Sequence, residues 1–208
     1  MTRPQTGPQT AYPRRNKRKQ KTRAQIIAAA NALVRERGAG AVTVTDIAER
    51  ADVHVTTLFN HFETRGELFA ALSEPQMAEL EEGVAAARAE GVGFFAFLRA
   101  AVHHAARQHA KGQRTGIPVG AAHGADPELV ASWLRYERLQ ITLFTAYIAD
   151  EFGMPSDDRR AFLIASMIVS ANIQIFERWQ ADPKGFDLEA ENLAVIEAAE
   201  AMIKGGVG

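Results

Sequence analysis

The stretch from Thr43 to Glu67, TVTDIAERADVHVTTLFNHFETRGE, constrains this chain more than any other, because it sets two short apolar stripes on either side of a tight turn. Ile47, Ala48 and Ala51 put one stripe on a first short helix, Asp52 and Val53 supply the turn, and Leu58 and Phe62 put a matching stripe on a second. The pattern predicts a helix-turn-helix. Burying the two helices against one another leaves one face of the second open. On that face stand Val55, Thr56, Phe59 and Asn60, uncharged and short or flat, a set suited to base edges in a DNA major groove.

The charge distribution points the same way. Residues 1–65 carry 12 Lys and Arg against 5 Asp and Glu, and the remaining residues carry 12 against 20, so a net charge of −1 divides into +7 and −8. A basic end joined to an acidic body suits a nucleic-acid partner. Arg14, Arg15, Lys17, Arg18, Lys19, Lys21 and Arg23 supply seven cations within ten residues. Residues 1–21 are predicted to be a disordered basic arm that follows phosphates or enters a minor groove, with Arg18 and Lys21 among its DNA contacts.

Composition excludes several classes. An apolar fraction of 47% in 208 residues allows a sizeable core. The absence of cysteine removes disulfides, thiolate metal sites and cysteine nucleophiles, and fits a reducing cytoplasm. The N-terminus has no apolar run of secretory length. The uncharged run from Ala161 to Phe176 is short and carries Ser166, Ser170, Asn172 and Gln174, which predicts a buried helix and no membrane span.

The elements around the central stretch are all helical. Thr22 and Gln25 read as a capping box for a helix carrying Ile26, Ile27, Ala30, Leu33 and Val34 and ending at Gly38. Thr43 to Asp46 and Thr64 to Glu67 repeat the capping logic, and Pro75 predicts a break near Ser73. Gly91 and Gly93 mark a joint before Phe94. A short helix fits within residues 112–126, and Asp126-Pro127 starts a long helix to about Phe152. Ser156 with Asp157 and Asp158 opens the buried helix, and Asp187 caps a last one. The expected fold is all-α, with about nine helices: a three-helix head over residues 22–72 and a helical body over 73–208.

The order of parts in the head resembles the DNA-binding head of the TetR family of bacterial transcriptional regulators. The residues that carry the likeness are the capped first helix, the Thr-capped second helix with Ile47-Ala48, then Val53, Thr57-Leu58-Phe59-Asn60-His61-Phe62, Arg65 and Glu67-Leu68. The likeness covers roughly residues 22–72. It departs where the family usually has Gly, Tyr and Lys, here Asp52, Phe59 and Arg65. Asp tolerates a left-handed turn residue, Phe59 lacks a phenol to reach a phosphate, and Arg65 keeps the charge. The resemblance implies that Val55, Thr56 and Phe59, with Asn60 beside them, read bases. Thr45, Thr57, His61 and Arg65 stand where the family holds phosphates, and Thr43 belongs to the same DNA surface. It also implies a homodimer on a pseudo-palindromic operator, with the last two helices forming a four-helix bundle with their symmetry mates, and a small effector that controls release.

The predicted effector site lies in the body. Trp133, Tyr136, Gln140, Phe144 and Tyr147 form an aromatic side of the long helix, opposite Val130, Leu134, Ile141 and Ile148. With Phe95 and Met167 from neighbouring helices and His103 or Gln140 as polar handle, the aromatic side is expected to line an apolar cavity. His103, His104, His109 and His123 contain no pair spaced by four, so no metal and no cofactor are expected. No nucleophile, base and oxyanion donor converge in sequence, which argues against an enzyme. The competing reading is a constitutive DNA-binding architectural or adaptor protein that takes no effector.

Overall fold

The structure, a computed structural model, describes residues 12–37, 41–110, 127–182 and 185–205. Among the described residues there are nine helices and no strand: α1 Tyr12–Arg37, α2 Val44–Arg50, α3 Val55–Phe59, α4 Arg65–Ala71, α5 Glu74–Ala89, α6 Phe94–Ala110, α7 Pro127–Glu151, α8 Arg159–Ala181 and α9 Leu188–Gly205. The short helix expected within 112–126, and His123 with it, lie outside the described residues.

The apolar side chains gather into two cores. Ile26, Ile27, Leu33 and Val34 of α1 close over Ile47 and Ala48 of α2, Leu58 and Phe62, and Leu68 and Phe69 of α4, all nearly inaccessible to solvent. A second core joins Val84 of α5, Phe94 and Leu98 of α6, Phe144 and Ile148 of α7, Ile164 and Ile168 of α8, and Ile196 and Ile203 of α9. Around Phe94, the rings of Phe95, Phe144 and Tyr147 pack edge-on at 5.2–5.5 Å, the arrangement that aromatic quadrupoles favour.

The first helix departs from expectation. It runs back to Tyr12, through the Thr22 position predicted to cap it, so residues 12–21 are helical and the predicted unstructured arm does not hold for them. Arg, Lys and Gln are good helix formers, and Pro13 sits in the first turn, where its missing N–H costs nothing. The cationic run therefore extends a helix already anchored by its apolar C-terminal half. The break near Pro75 is present: α4 ends at Ala71 and α5 begins at Glu74. Gly91, at φ 70°, turns the chain from α5 into α6. The buried helix is capped by Asp158, whose carboxylate accepts from the Arg160 amide at 2.7 Å, so the cap falls two residues after Ser156. Asp187 caps the last helix as expected, accepting from the Ala190 amide at 3.0 Å.

By length and composition Arg159–Trp179 of α8 would reach across a membrane. Here it packs between α7 and α9, yet not on every side, since Phe162 and Leu163 remain 51% and 62% exposed.

Candidate nucleic-acid interface and ligand cavity

The turn between α2 and α3 is fixed by its backbone. Thr43 and Asp46 form a reciprocal capping box: the Thr43 hydroxyl accepts from the Asp46 amide at 3.1 Å and the Asp46 carboxylate accepts from the Thr43 amide at 2.9 Å. The Thr43 hydroxyl, with its amide and Arg37, holds the Asp46 carboxyl below the usual range. Asp52 takes φ 53°, and the Val53 amide bonds Ala48 O at 3.0 Å, so α3 leaves at a sharp angle. A left-handed residue is required there, and Asp is among the few that accept it.

That angle decides which side of α3 faces out. Leu58 and Phe62 are buried, whereas Thr56, Phe59 and Asn60 are exposed, Phe59 by 45%. Val55 and Thr57 are half-buried, and Val55 packs against the head core. The open face is therefore narrower than the predicted one, with Val55 at its edge. Thr43 and Thr45 are exposed at the start of α2, and Arg18 and Lys21 are exposed on α1.

Arg65 and His61 are held rather than free. The Arg65 guanidinium lies over the Phe69 ring at 4.8 Å and donates to Val42 O at 3.3 Å. His61 is half-buried with its Nδ1 shut off from solvent and without a hydrogen-bond partner. Burial, and then the nearby charges of Lys19 and Arg23, hold its imidazole below the ordinary value.

The body contains a partly open cavity of about 320 Å³ lined by α5, α6, α7, α8 and α9. Trp133, Tyr136, Gln140 and Phe144, all predicted, are in its wall. The Gln140 amide donates to the Tyr136 hydroxyl at 3.3 Å, and burial with the Glu79 charge pushes that hydroxyl up to about 12, so it stays a neutral phenol. Phe95, His103 and Met167 are not in the wall, which corrects their predicted placement. Phe95 is 2% exposed and packs on Phe94 and Phe152. His103 is exposed and pairs with Glu189 at 2.6 Å. Met167 packs against the body core from the side of α8 away from Val169 and Asn172. His103 and Met167 miss by rotation, because one residue along a helix turns a side chain by about 100°, whereas Phe95 shares a face with Leu98 and Val102 but precedes Phe97, the first residue of α6 in the wall. Tyr147 is core, its hydroxyl donating to Val92 O at 2.6 Å.

Sequence reasoning missed Gln76, His109, Asn172 and Asn192 in the wall. Asn192 carried a signal, as a polar residue in the apolar stripe of α9, where it accepts from the Asn172 amide at 2.7 Å. It also missed the tie between the two cores. Arg23 of α1 grips Glu74 in the first turn of α5, with Nη2 2.8 Å from Oε1, and its guanidinium lies over Phe62 at 5.0 Å. Within the head, the buried Asn31 amide donates to Leu72 O at 3.1 Å, at the end of α4.

Comparison with known proteins agrees with this geometry. Residues 26–72 match the family model for bacterial regulatory proteins of the TetR family. No match to a curated protein sequence is found. Among solved structures, FadR from Thermus thermophilus, a TetR-family transcriptional repressor in complex with lauroyl-CoA, is similar at 23% identity and TM-score 0.62, over 89% of this chain and 95% of that one. FadR from Bacillus subtilis in complex with stearoyl-CoA is similar at 17% identity and TM-score 0.64, over 85% and 96%. A TetR-family regulator from Syntrophomonas wolfei is similar at 15% identity and TM-score 0.68, over 90% and 97%. Over residues 26–72 the head is thus similar to bacterial regulatory proteins of the TetR family, and the chain as a whole shares its all-helical fold with TetR-family regulators of known structure.

Proposed function

We propose that the chain is a repressor that binds a pseudo-palindromic operator as a homodimer and is released by a small apolar or aromatic effector. Residues 22–72 read DNA, and residues 73–208 sense the effector and dimerise. One observation carries this reading: the wall of the body cavity includes Gln76 and Leu80 of α5, and the first turn of that same helix is tied to the head through Arg23 and Glu74. A ligand that fits better when α5 is displaced would favour a head position unsuited to the operator.

In this reading Thr56, Phe59 and Asn60 contact bases with Val55 at their edge, while Thr43, Thr45, Thr57, His61, Arg65, Arg18 and Lys21 set the head on phosphates. Lauroyl-CoA and stearoyl-CoA, held by the two FadR neighbours, make apolar chains one effector class. The rings of Trp133, Phe97, Phe144 and Phe176 suit a flat apolar molecule as well. The exposed apolar residues Phe162 and Leu163 on α8 and Met202 on α9, with Val130 and Leu134 on α7, favour a dimer that buries this apolar surface, α8 included, against a symmetry mate.

The test begins with DNA selected by the purified protein from a random pool. A pseudo-palindrome with half-sites one helical turn or a multiple apart supports the dimer. Release of that DNA by apolar cell fractions supports the repressor. Binding that no fraction alters would favour the constitutive reading.

A further inference from the structure

We propose that the effector is an uncharged apolar molecule carrying a hydrogen-bond donor, and that Gln76 Oε1 accepts that donor. The inference rests on the reading of the body cavity as an effector site, and narrows it to a chemical class.

Most of the polar wall is already satisfied from within. Asn172 donates to Asn192, Asn192 donates to Leu188 O at 2.8 Å, and Gln140 donates to the Tyr136 hydroxyl. Gln76 differs. Its side chain is in the wall, and its Oε1 is closed to solvent and has no hydrogen-bond partner. A buried amide oxygen in that state costs free energy until a donor reaches it, so a ligand hydroxyl or N–H gains there what an apolar group cannot.

The charge of the wall sets the second half of the class. Glu189 stands in it, and Glu79, on α5 beside Gln76's turn, acts on the neutral Tyr136 phenol. Among the described residues the wall holds no Lys or Arg. A carboxylate brought here would lose its water and meet Glu189, with no Lys or Arg in the wall to offset that loss. A neutral donor-bearing ring or chain meets neither penalty.

Three probes of matched shape test the class: para-pentylphenol, its methyl ether and para-pentylbenzoate, titrated into the full chain at pH 7.5. Trp133 in the wall supplies the fluorescence signal, and calorimetry supplies an independent one. The phenol is expected to bind about tenfold tighter than the ether, with the ionised benzoate weakest. In Gln76→Met the phenol and the ether should converge to within about twofold while the ether keeps its affinity, which also shows that the cavity is intact. Three outcomes overturn the assignment: benzoate binding as tightly as the phenol, a phenol-to-ether ratio unchanged in Gln76→Met, or no binding of any probe. If the phenol binds with the stated preference but leaves operator affinity unchanged, the Gln76 assignment stands and the effector-release reading falls.

Discussion

Replacing Phe59 by Ala separates reading from folding. The ring is 45% exposed, and a fully open Phe presents roughly 200 Å². About 90 Å² is therefore free to be buried in a major groove, worth about 2 kcal/mol at 25 cal/mol per Å². Phe59→Ala is then expected to weaken operator binding by about thirtyfold. Binding to random duplex should change by no more than about twofold, since phosphate contacts carry that affinity. The melting temperature should scarcely move, because Leu58 and Phe62, not Phe59, fill the head core. Fluorescence anisotropy on selected and scrambled duplexes, repeated over a salt series, measures both losses. A similar loss on both duplexes, or a fall in melting temperature of several degrees, would refute the reasoning. The first would make Phe59 a positioning residue, and the second would make it part of the fold.

Arg65→Ala is expected to weaken all sequences alike and to flatten the salt slope by about 0.9, the signature of one phosphate contact, in the same anisotropy series. At Asp52, held at φ 53°, thermal melting should rank Gly above Asp and Asp above Val, with Asp52→Val losing roughly 1–2 kcal/mol for a β-branched residue in the left-handed region. His61 is held below its ordinary value by burial and by Lys19 and Arg23, so the stability this gives is present above the unfolded value of about 6.5 and is lost as pH falls below it. Melting at pH 7.5 and 5.5 should therefore show a smaller acid loss in His61→Asn. A phosphate beside His61 acts in the opposite sense, raising its affinity for a proton, so operator binding by the native chain should strengthen from pH 7.5 to 6 and that of His61→Asn should not.

The head was legible in the sequence because its information is local. Capping at Thr43 and Thr64, the turn at Asp52, and the four-residue spacing of Leu58 and Phe62 each act within one or two turns of helix, and each is present. Even the direction of Phe59 followed from that spacing, once Leu58 and Phe62 were assigned inward. The start of α1 was not legible, because a run of Arg and Lys has good helix propensity but no apolar stripe to reveal it. In the body, periodicity identified the aromatic side of α7 correctly as cavity wall for Trp133, Tyr136, Gln140 and Phe144. It failed on α6 and α8, where the facing side depends on how each helix is rotated against its neighbours. Phe95, His103 and Met167 were chosen by residue type, and type fixes neither rotation nor position along the helix. Gln76 was invisible for a related reason: its Oε1 is closed from solvent in a cavity wall built by helices far along the chain, not by its own neighbours in sequence.

The tie between the two cores has a strength suited to being overcome. Arg23 and Glu74 are both partly exposed, so their ion pair is worth about 1 kcal/mol or less. The guanidinium over Phe62, about 0.5–1 kcal/mol, and the buried bond from Asn31 to Leu72 O, about 1 kcal/mol, lie within the head and fix Arg23 and the end of α4 in place. Of these only the Arg23–Glu74 pair spans from the head to α5, so the tie is worth about 1 kcal/mol or less, at the low end of the 1–3 kcal/mol typical of coupling between two binding sites. On the proposed reading that modest strength matters. A weaker tie would let the heads drift without ligand and blur operator spacing, and a much stronger one would leave a modest apolar effector unable to shift α5. The tie is also placed where a cavity ligand acts on it most directly, because Gln76 follows Glu74 by two residues on the same helix. Movement of the wall at Gln76 must then either carry Glu74 with it or distort the first turn of α5, and the exposed ion pair is the cheaper of the two to break.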